Sequence, residues 1–397
     1  MNWAEPAGLL RRGHDVVDGV ELLASADDPA AVIDAVEAWA DSPRVLRREA
    51  ERIELLIDGS QLGVRSRALG IAGALLLQLT GSDVHLDSLR ELAGARGLVL
   101  GPDGLHAVND RTVIASTEKT IYQALGLPFI APELREDGEE IEAALAGRLP
   151  SLVSRADLRG DLHLHTHWSD GRDSIKEMVG TCVALGYEYL AITDHSPHSA
   201  ASRNLSLDDV ERQGDEIAAV RDEFPQVAIL HGTEVDILTS GQLDFPDHLL
   251  RRFDIVLASL HDRAGHSPAE LLRRYEAAMT HPLVSIVTHP MNRSGRDRSG
   301  YDIDVDRLFE LAVETGTALE IDGAPSHLDL EAPLARRAVQ AGVTLAIDSD
   351  AHRTEMLERH MTLGVLTARR GWVEPRNVLN VRSRADVMKF VARKRGV

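Results

Sequence analysis

The pattern of apolar and polar positions changes near residue 158 of the chain. Beyond that point, apolar runs of strand length alternate with amphipathic stretches of helix length. This alternation is typical of parallel strands joined by crossover helices. Seven such units in ~240 residues predict a parallel sheet, most simply closed into a (β/α)7 barrel, with an open doubly wound sheet as the alternative. The predicted strands are 161–166, 188–194, 227–233, 254–260, 284–288, 317–322 and 343–348.

The first 150 residues show a mixed pattern that predicts an α-rich segment with one β-hairpin. Asp28 before Pro29 is a helix start signal, and helical spacing follows it. Two strand-like runs flank Asp58-Gly59, a dipeptide that favours a tight hairpin turn. A mostly apolar stretch that ends at Gly81 predicts another helix, because glycine often follows the last helical turn.

Length and charge narrow the class of protein. The 397 residues suggest two or three domains. The formal net charge is −20, and both halves of the chain are acidic. Residues 1–150 contain 14 Lys and Arg against 25 Asp and Glu, and residues 151–397 contain 29 Lys and Arg against 38 Asp and Glu. Because a nucleic-acid-binding tract normally shows as a basic patch, we expect no strong non-specific nucleic-acid binding.

No feature of the sequence indicates export or membrane insertion. Cys182 is the one cysteine, so no internal disulfide can form. No apolar run approaches the roughly 18–20 residues that a membrane span needs, and the N-terminus lacks the layout of a signal peptide. We therefore expect a cytoplasmic protein without membrane contact.

Polar side chains follow the apolar runs at the points where the predicted strands end. In a β/α barrel these carboxyl ends meet at one face, which carries the functional site. In the first strand, His163, His165 and His167 occupy alternate positions and therefore point to one side. The polar residues in question are His163, His165, Asp170, Asp194, His195, Glu234, His261, His289, Glu320, Asp322, Asp348, Asp350 and His352.

This convergence of imidazoles and carboxylates indicates a metal centre, although a single histidine at a strand end would be interpreted as structural. Without cations, the buried carboxylates would repel one another and lose their hydration at high cost. A donor set of nitrogen and oxygen without thiolate suits Zn²⁺, Mn²⁺ or Fe²⁺. About nine candidate ligands exceed the needs of one tetrahedral ion and fit two or three divalent ions.

The strand-end motifs resemble those of the PHP (polymerase and histidinol phosphatase) phosphoesterases. In chain order they read "DLHLHTHWSDG", "ITDHS", "GTEVDI", "ASLHD", "THP" and "IDSDAH". The resemblance implies a trinuclear metal centre, with Asp194 and Asp348 orienting ligands from behind and His167 at the rim. The ligands that it implies are His163, His165, Asp170, His195, Glu234, His261, His289, Asp350 and His352.

A narrower resemblance covers residues 110–397. Segments such as "IYQALGLPFIAPELRE" and "TALEIDGAPSHLDL" are similar to the C-terminal half of bacterial family X DNA polymerases. A weaker likeness upstream implies a palm-like segment over 1–75, a thumb-like helical segment and linker over 76–150, and the PHP domain over 151–397. The implied fold class is α/β: a distorted (β/α)7 PHP barrel preceded by a smaller α+β, α-rich remnant of a nucleotidyltransferase palm and thumb.

The palm-like segment lacks the carboxylates that nucleotidyl transfer needs. Two-metal phosphoryl transfer uses carboxylates on adjacent inward positions of the palm. The aligned positions here are Gly19, Glu21 and Gly63, although a register shifted by one residue would bring in Asp18. We therefore expect a degenerate palm and thumb without DNA polymerase activity. We also expect that the lyase and DNA-gripping domain that precedes the family's palm is absent.

The resemblance and the metal site together imply metal-assisted hydrolysis of a phosphate ester. Glu234 is the predicted carboxylate that bridges two ions, and Asp194, His198 or a metal-bound water is the predicted acid for the leaving alcohol. Glu320 and Asp322 are expected to hydrogen-bond inside the barrel instead of binding metal. Because arginine forks suit phosphate oxygens, the predicted substrate contacts are arginines in the loops after strands two and five. They are Arg203, Arg293 and Arg296.

Three functions follow from these observations. The resemblance to family X favours a DNA 3′-end processing hydrolase, which acts as a 3′→5′ exonuclease and 3′-phosphatase. The acidic charge favours the alternative, a small-molecule phosphomonoesterase of the histidinol-phosphatase type. A non-catalytic binding scaffold is the third, but a scaffold has no physical need for so many converging ligands.

Overall fold

The computed structural model describes residues 1–39, 44–107, 113–199, 201, 203–261, 265–294 and 300–397. Two compact units divide the chain: unit 1 is Met1–Leu149 and unit 2 is Pro150–Val397. Among the described residues, no helix combines the length and the apolar character needed to cross a membrane.

Unit 1 combines a five-stranded sheet, a two-stranded hairpin and short helices. The strands are β1 (Trp3–Pro6), β2 (Gly19–Ser25), β3 (Arg44–Glu49), β4 (Arg52–Ile57), β5 (Ser60–Arg67), β6 (Leu98–Gly101) and β7 (Gly104–Ala107). The helices are α1 (Gly8–Arg11), α2 (Pro29–Trp39), α3 (Leu69–Thr80), α4 (Asp83–Ala95), α5 (Glu118–Ala124) and α6 (Glu139–Leu145). The five-stranded sheet has the order β1-β2-β5-β4-β3, in which β2 and β5 are parallel and the other neighbours are antiparallel.

The local predictions for unit 1 are confirmed, but the unit holds more strand than its pattern indicates. The helix after Asp28, the helix that ends at Gly81 and the hairpin at Asp58-Gly59 are all present. Asp58 and Gly59 have φ values of 49° and 81°, as a tight primed turn requires. The sheet buries its apolar side against Ile33 of α2, which makes the unit α+β.

Unit 2 is built from alternating strands and helices. The strands are β8 (Gly160–Asp161), β9 (Tyr189–Ile192), β10 (Ala228–Asp236), β11 (Ile255–Ser259), β12 (Ile286–Val287), β13 (Ala318–Asp322) and β14 (Leu345–Asp348). The helices are α7 (Ile175–Ala184), α8 (Leu207–Glu223), α9 (Asp247–Leu250), α10 (Pro268–Thr280), α11 (Val305–Thr315), α12 (Ala332–Ala341), α13 (Leu357–Arg370) and α14 (Arg384–Arg395). All seven predicted strands are confirmed, and they pair in chain order with every neighbour parallel.

The sheet closes on itself, so the barrel prediction is confirmed and the open sheet is excluded. Just beyond β8, Leu164 forms a parallel bridge with Ala351, which follows β14. The His165 N–H donates to the Ala351 carbonyl at 2.9 Å, and the Asp350 N–H donates to the His163 carbonyl at 3.0 Å. This closing seam therefore places ligand-bearing residues of the first and last strands side by side.

The buried side chain of Asn380 completes the seam at its lower end. Its Nδ2 donates to the carbonyl of Gly160 at 3.0 Å and to that of Ile347 at 2.5 Å, and its Oδ1 accepts from the Ile347 N–H at 3.0 Å. Helix α14 follows and packs its apolar side chains against inward-facing residues of the strands. The C-terminal segment thus covers the barrel opposite the strand ends.

Several helices begin with capping boxes directly after the loops that leave the strand ends. The pairs are Ser174/Glu177 at α7, Ser206/Asp209 at α8 and Ser267/Glu270 at α10. Each pair satisfies backbone donors of the first helical turn reciprocally. The far end of each loop is therefore fixed, which leaves the strand-end residues little freedom to move away.

Candidate metal centre

The structure brings the nine predicted ligands together at the carboxyl ends of the barrel strands. A cavity of about 620 Å³ opens there. His163 and His165 are fully buried beneath it. The other seven line it: Asp170, His195, Glu234, His261, His289, Asp350 and His352.

Glu234 lies at the centre of this cluster. Its Oε2 is 3.0 Å from His195 Nδ1 and 3.4 Å from His163 Nε2. Its other oxygen, Oε1, is 2.8 Å from His289 Nε2 and 3.4 Å from His261 Nε2. The two oxygens of Glu234 thus face different imidazoles, and its role as a bridge between two ions stays a prediction.

A second set of ligand atoms gathers around Asp170. Its Oδ1 is 3.3 Å from His352 Nε2 and 3.5 Å from His195 Nε2. The His165 ring stacks on the His195 ring at a centroid distance of 4.3 Å. One potential ligand atom from each of these four residues lies within 4.8 Å of the others, a spacing that could hold an ion.

The donor atoms fit divalent cations. Glu320 Oε1 lies 2.7 Å from His163 Nδ1, so this nitrogen carries the proton and Nε2 keeps its lone pair. His261 Nδ1 is held by Asp236 at 2.8 Å, and His352 Nδ1 by the carbonyl of Asp350 at 2.9 Å. Metal-binding histidines usually donate their second N–H to a carboxylate or carbonyl in this way. In the neutral form of each ring, the second nitrogen would face the other ligands, where a bound cation could replace the proton.

Electrostatics keep the carboxylates ionised. Burial alone would raise the pKa of Glu234, but His195, His163 and His261 beside it hold that pKa well below its usual range. Burial likewise opposes ionisation of Asp350, yet His352 and His163 keep its pKa well below the usual value. Metal binding requires the deprotonated form of each ligand, and these carboxylates already have it.

The surroundings of the imidazoles shift their pKa values in opposite directions. Burial lowers the pKa of His165 to about 3, and the neighbouring His195 and His352 contribute to the shift. For His261, burial acts in the same direction, but Glu234 and Asp236 raise the pKa to about 10. The cluster thus attracts positive charge, which is either protons or bound cations.

Asp194 lies behind the cavity, where it positions the segment between two ligands. It is fully buried, and its oxygens accept from the Thr166 N–H at 2.8 Å, from Thr166 Oγ1 at 2.8 Å and from Gln213 Nε2 at 2.6 Å. Asp194 is not part of the cavity lining. The carboxylate faces the backbone of the motif instead of the cavity, a placement that favours its predicted orienting role over the predicted role of general acid.

Replacing Asp194 with asparagine is expected to weaken metal binding by about 10–100-fold, because the amide cannot accept all of these hydrogen bonds. Metal affinity is measured by competition with a chelator, and the pH profile of hydrolysis is recorded in parallel. A profile that loses its acid limb while metal affinity is unchanged would restore the general-acid role of Asp194.

The predicted substrate arginines fall in three different situations. Arg203 is exposed in the loop after β9. Arg293 is buried, and its guanidinium donates to the Leu328 carbonyl at 2.6 Å and lies 3.1 Å from Glu331. These contacts favour a structural role for Arg293 in holding the loop after β13, and its role as a substrate contact stays a prediction. Arg296 lies outside the described residues.

His198 and His167 lie near the rim. The His198 side chain is 71% exposed, while its Nδ1 is held by the buried carboxylate of Asp244, which also accepts from the His198 N–H at 2.8 Å. The outer nitrogen of His198 can therefore exchange protons with solvent. The His167 backbone is fixed by an N–H that donates to the Asp173 carbonyl at 2.9 Å.

Strained backbone concentrates in the loops that carry the ligands. Non-glycine residues with positive φ cost of order 1–3 kcal/mol each, and they persist where the surroundings fix them. Four such residues are at this end of the barrel: His289 (26°), Asn292 (47°), Leu328 (47°) and Asp350 (46°). Two of them are predicted ligands, so the fold holds these side chains in place against a conformational preference.

His327 is a cavity residue that the sequence analysis missed. It lies in the loop between β13 and α12, lines the cavity and stacks on the His289 ring at a centroid distance of 5.2 Å. No strand end marks this position. The length of the loop could have drawn attention to it, because most loops after barrel strands have about two to six residues.

The aligned carboxylate positions of unit 1 lie on neighbouring strands. Glu21 on β2 pairs with Gly63 on β5, and Glu21 Oε1 lies 2.7 Å from Arg65 Nε. A Cβ atom at Gly63 would collide with the Glu21 carboxylate. Of the three aligned positions, Glu21 alone offers a carboxylate, and an arginine already neutralises it.

A closed parallel barrel with such a cluster in its mouth defines a PHP domain of the phosphoesterase class, and the PHP domain family matches residues 161–323. The DNA polymerase beta thumb family matches residues 75–136. The DNA polymerase/3′-5′ exonuclease PolX of Bacillus subtilis (strain 168) is 37% identical over 391 residues, which cover 98% of this chain and 68% of that protein. The chain belongs to this PolX family, as its motifs suggested.

Other relatives match part of the chain. A probable phosphatase of Caldanaerobacter subterraneus is 29% identical over 214 residues, covering 51% of this chain and 80% of that protein. The solved structure of a putative histidinol phosphatase from Listeria monocytogenes covers 50% of this chain and 97% of its own, at 17% identity and a TM-score of 0.42.

Proposed function

We propose that unit 2 is a metal-dependent phosphoesterase that hydrolyses phosphate esters at DNA 3′ ends. The observation that carries the proposal is the convergence of nine nitrogen and oxygen donors on one cavity. A relative named as a 3′-5′ exonuclease, aligned over 98% of this chain, supports the choice of DNA ends as substrate.

Two or three Zn²⁺, Mn²⁺ or Fe²⁺ ions are the proposed cofactors, held by the nine ligands. Bound there, they would lower the pKa of water to about 7 and offset negative charge on the phosphate. Glu234 is the carboxylate proposed to bridge two of these ions. Thr288 Oγ1 restrains its side chain by donating a hydrogen bond of 3.1 Å to Oε1. The open side of the cavity admits the phosphate group.

His198 is the side chain proposed to donate a proton to the leaving alcohol. It lies in the loop after β9, next to Ser199 of the cavity lining. The buried Asp244 carboxylate orients its ring through Nδ1. Arg203, in the same loop, is the proposed contact to a phosphate of the substrate.

We also propose that unit 1 has no nucleotidyl transfer activity. Phosphoryl transfer by two metals needs several carboxylates, and Glu21 is paired with Arg65. Templated dNTP incorporation by the purified chain, abolished by Asp18→Asn or Glu21→Gln, would overturn this proposal. The remaining role of unit 1 would be that of a scaffold.

The function is tested with three substrates and the metal-loaded protein. They are a 5′-labelled oligonucleotide, an oligonucleotide with a 3′-phosphate, and histidinol phosphate. We expect shortening of the first or dephosphorylation of the second, and no product with a His165→Asn variant, which controls for contaminating nucleases. Absence of turnover on all three with Mn²⁺, Zn²⁺ and Fe²⁺ would overturn the hydrolase proposal.

A small-molecule phosphomonoesterase is the second candidate. Two observations favour it: the acidic charge of both halves of the chain and the relatives named as probable phosphatases, one of which covers 51% of this chain. In the same assay, phosphate released from histidinol phosphate alone would select this candidate over the first.

A further inference from the structure

The loop between β13 and α12 forms one wall of the cavity and is held in place at both ends. Asp322 and Asp329 form an antiparallel bridge across its base. The buried carboxylate of Asp329 accepts from the Met291 N–H at 2.9 Å and from the Arg293 N–H at 3.3 Å. The loop is therefore fixed against the segment that carries His289, and His327 at its tip has a defined position.

Asp322 has a carboxylate oxygen that the protein does not satisfy. The residue is fully buried at the end of β13, and its Oδ1 accepts from the Ala324 N–H at 2.6 Å. Among the described residues, Oδ2 has no hydrogen-bond partner. A buried carboxylate oxygen without a partner destabilises the folded state, so a positively charged occupant would be stabilising.

His327 offers a ring nitrogen with the properties of a metal ligand. The backbone of Arg293 hydrogen-bonds the imidazole, which assigns the proton to one nitrogen and leaves a lone pair on the other. The ring also stacks on His289, which restricts its rotation. His289 and Arg293, the two neighbours of the ring, belong to the segment with positive φ at His289 and Asn292.

Three ligand atoms meet at the edge of the cavity, where His327 and Asp350 line it and Asp322 is buried behind them. One from each of Asp322, His327 and Asp350 lies within 4.8 Å of the other two. Nitrogen and oxygen ligands bind transition metals at about 2.0–2.2 Å, so atoms on opposite sides of one ion are separated by about 4 Å. A small movement of the side chains would therefore suffice to enclose an ion.

We propose that Asp322, His327 and Asp350 bind an additional divalent cation, beyond those that the nine predicted ligands hold. This role for Asp322 replaces the purely hydrogen-bonding role expected from the sequence. Asp350 joins this site to the rest of the centre, because its Oδ1 also lies 3.0 Å from His165 Nε2. Two carboxylates and one imidazole suit Zn²⁺ or Mn²⁺, and three protein ligands leave a position open to the cavity. The inference rests on the metal centre of the proposed function, but not on the identity of its substrate.

Metal stoichiometry tests this proposal. The full chain is dialysed against Mn²⁺ or Zn²⁺, and bound metal is measured by mass spectrometry for wild type, His327→Ala and Asp322→Asn. We expect each variant to hold one ion fewer per chain than wild type. His248→Ala, an exposed histidine on α9, is the matched control and should retain the full number. Asp322→Asn keeps the side-chain volume, so it stays informative if His327→Ala folds poorly.

The outcomes separate this inference from the proposed function. Equal metal content in wild type and both variants would overturn the additional site, and an accompanying rise in KM would make His327 a substrate contact instead. Loss of all metal from Asp322→Asn would also overturn it, because the site would then be part of a single centre. A wild-type protein that binds no metal would instead overturn the proposed function itself.

Discussion

Glu234→Gln is expected to lower the rate of phosphate-ester hydrolysis by about 10³-fold, a loss typical of removing one preorganised electrostatic group. The glutamine keeps the shape of the side chain but has one acceptor oxygen and no charge. Glu234 lies within 3.6 Å of His163, His165, His195, His261 and His289, so its charge acts on most of the cluster. The measurement is kcat on the best substrate, together with the metal content of the purified variant.

Glu188→Gln provides the matched control for this substitution. Glu188 makes an exposed ion pair with Arg159 at 2.6 Å, and such pairs contribute little to stability. Its activity and metal content should equal those of wild type. Glu234→Gln with nearly normal kcat would show that the chemistry does not depend on the centre of this cluster.

Removal of the metal ions is expected to lower the Tm of unit 2 by roughly 15–30 °C. A ligand at 100 times its Kd stabilises the folded state by about 2.7 kcal/mol, so three ions contribute about 8 kcal/mol. For a domain of 150–250 residues each kcal/mol shifts Tm by about 2–4 °C. The effect has a clear cause, because without cations the buried carboxylates depend on protonated imidazoles such as His261 for positive charge.

Differential scanning calorimetry with and without a chelator provides the measurement. Re-addition of Mn²⁺ or Zn²⁺ should restore the higher Tm, whereas Glu234→Gln should show a much smaller difference between the two conditions. An identical Tm in chelator and in excess metal would mean that the cluster is stable alone, which would contradict a structural contribution from bound ions.

The barrel and its predicted ligands could be anticipated because both depend on local pattern. Each strand is a short apolar run, and each ligand follows such a run within a few residues, as Glu234 does on β10. Closed parallel topology then brings the strand ends together without further information. The sequence alone therefore predicts at which end of the barrel the cavity lies.

The loops could not be anticipated in the same way. Arg293 looks like a substrate contact in the sequence, yet it is buried against Leu328 and Glu331. His327 lies in a loop whose path depends on the long-range contacts of Asp329. Neither position follows from periodicity, because loop conformation is set by tertiary hydrogen bonds between segments distant in the sequence.

The strands of unit 1 were also hard to detect, for a different physical reason. β3 is exposed along its whole length, so it shows no alternation of buried and exposed residues. β1 contains Pro6 and lies at the edge of the sheet, where proline is tolerated. Edge strands bury little surface, so their sequences show only a weak alternation of apolar and polar residues. The hairpin of β4 and β5 is instead predicted from its turn.

The position of Asn380 has a consequence for biosynthesis. The side chain joins the first barrel strand to the last, and its bond to Gly160 spans 220 residues of the chain. The seam therefore forms only after all seven strands have been synthesised. Until then the residues at the strand ends cannot converge, so a nascent chain would lack the complete set of imidazoles and carboxylates.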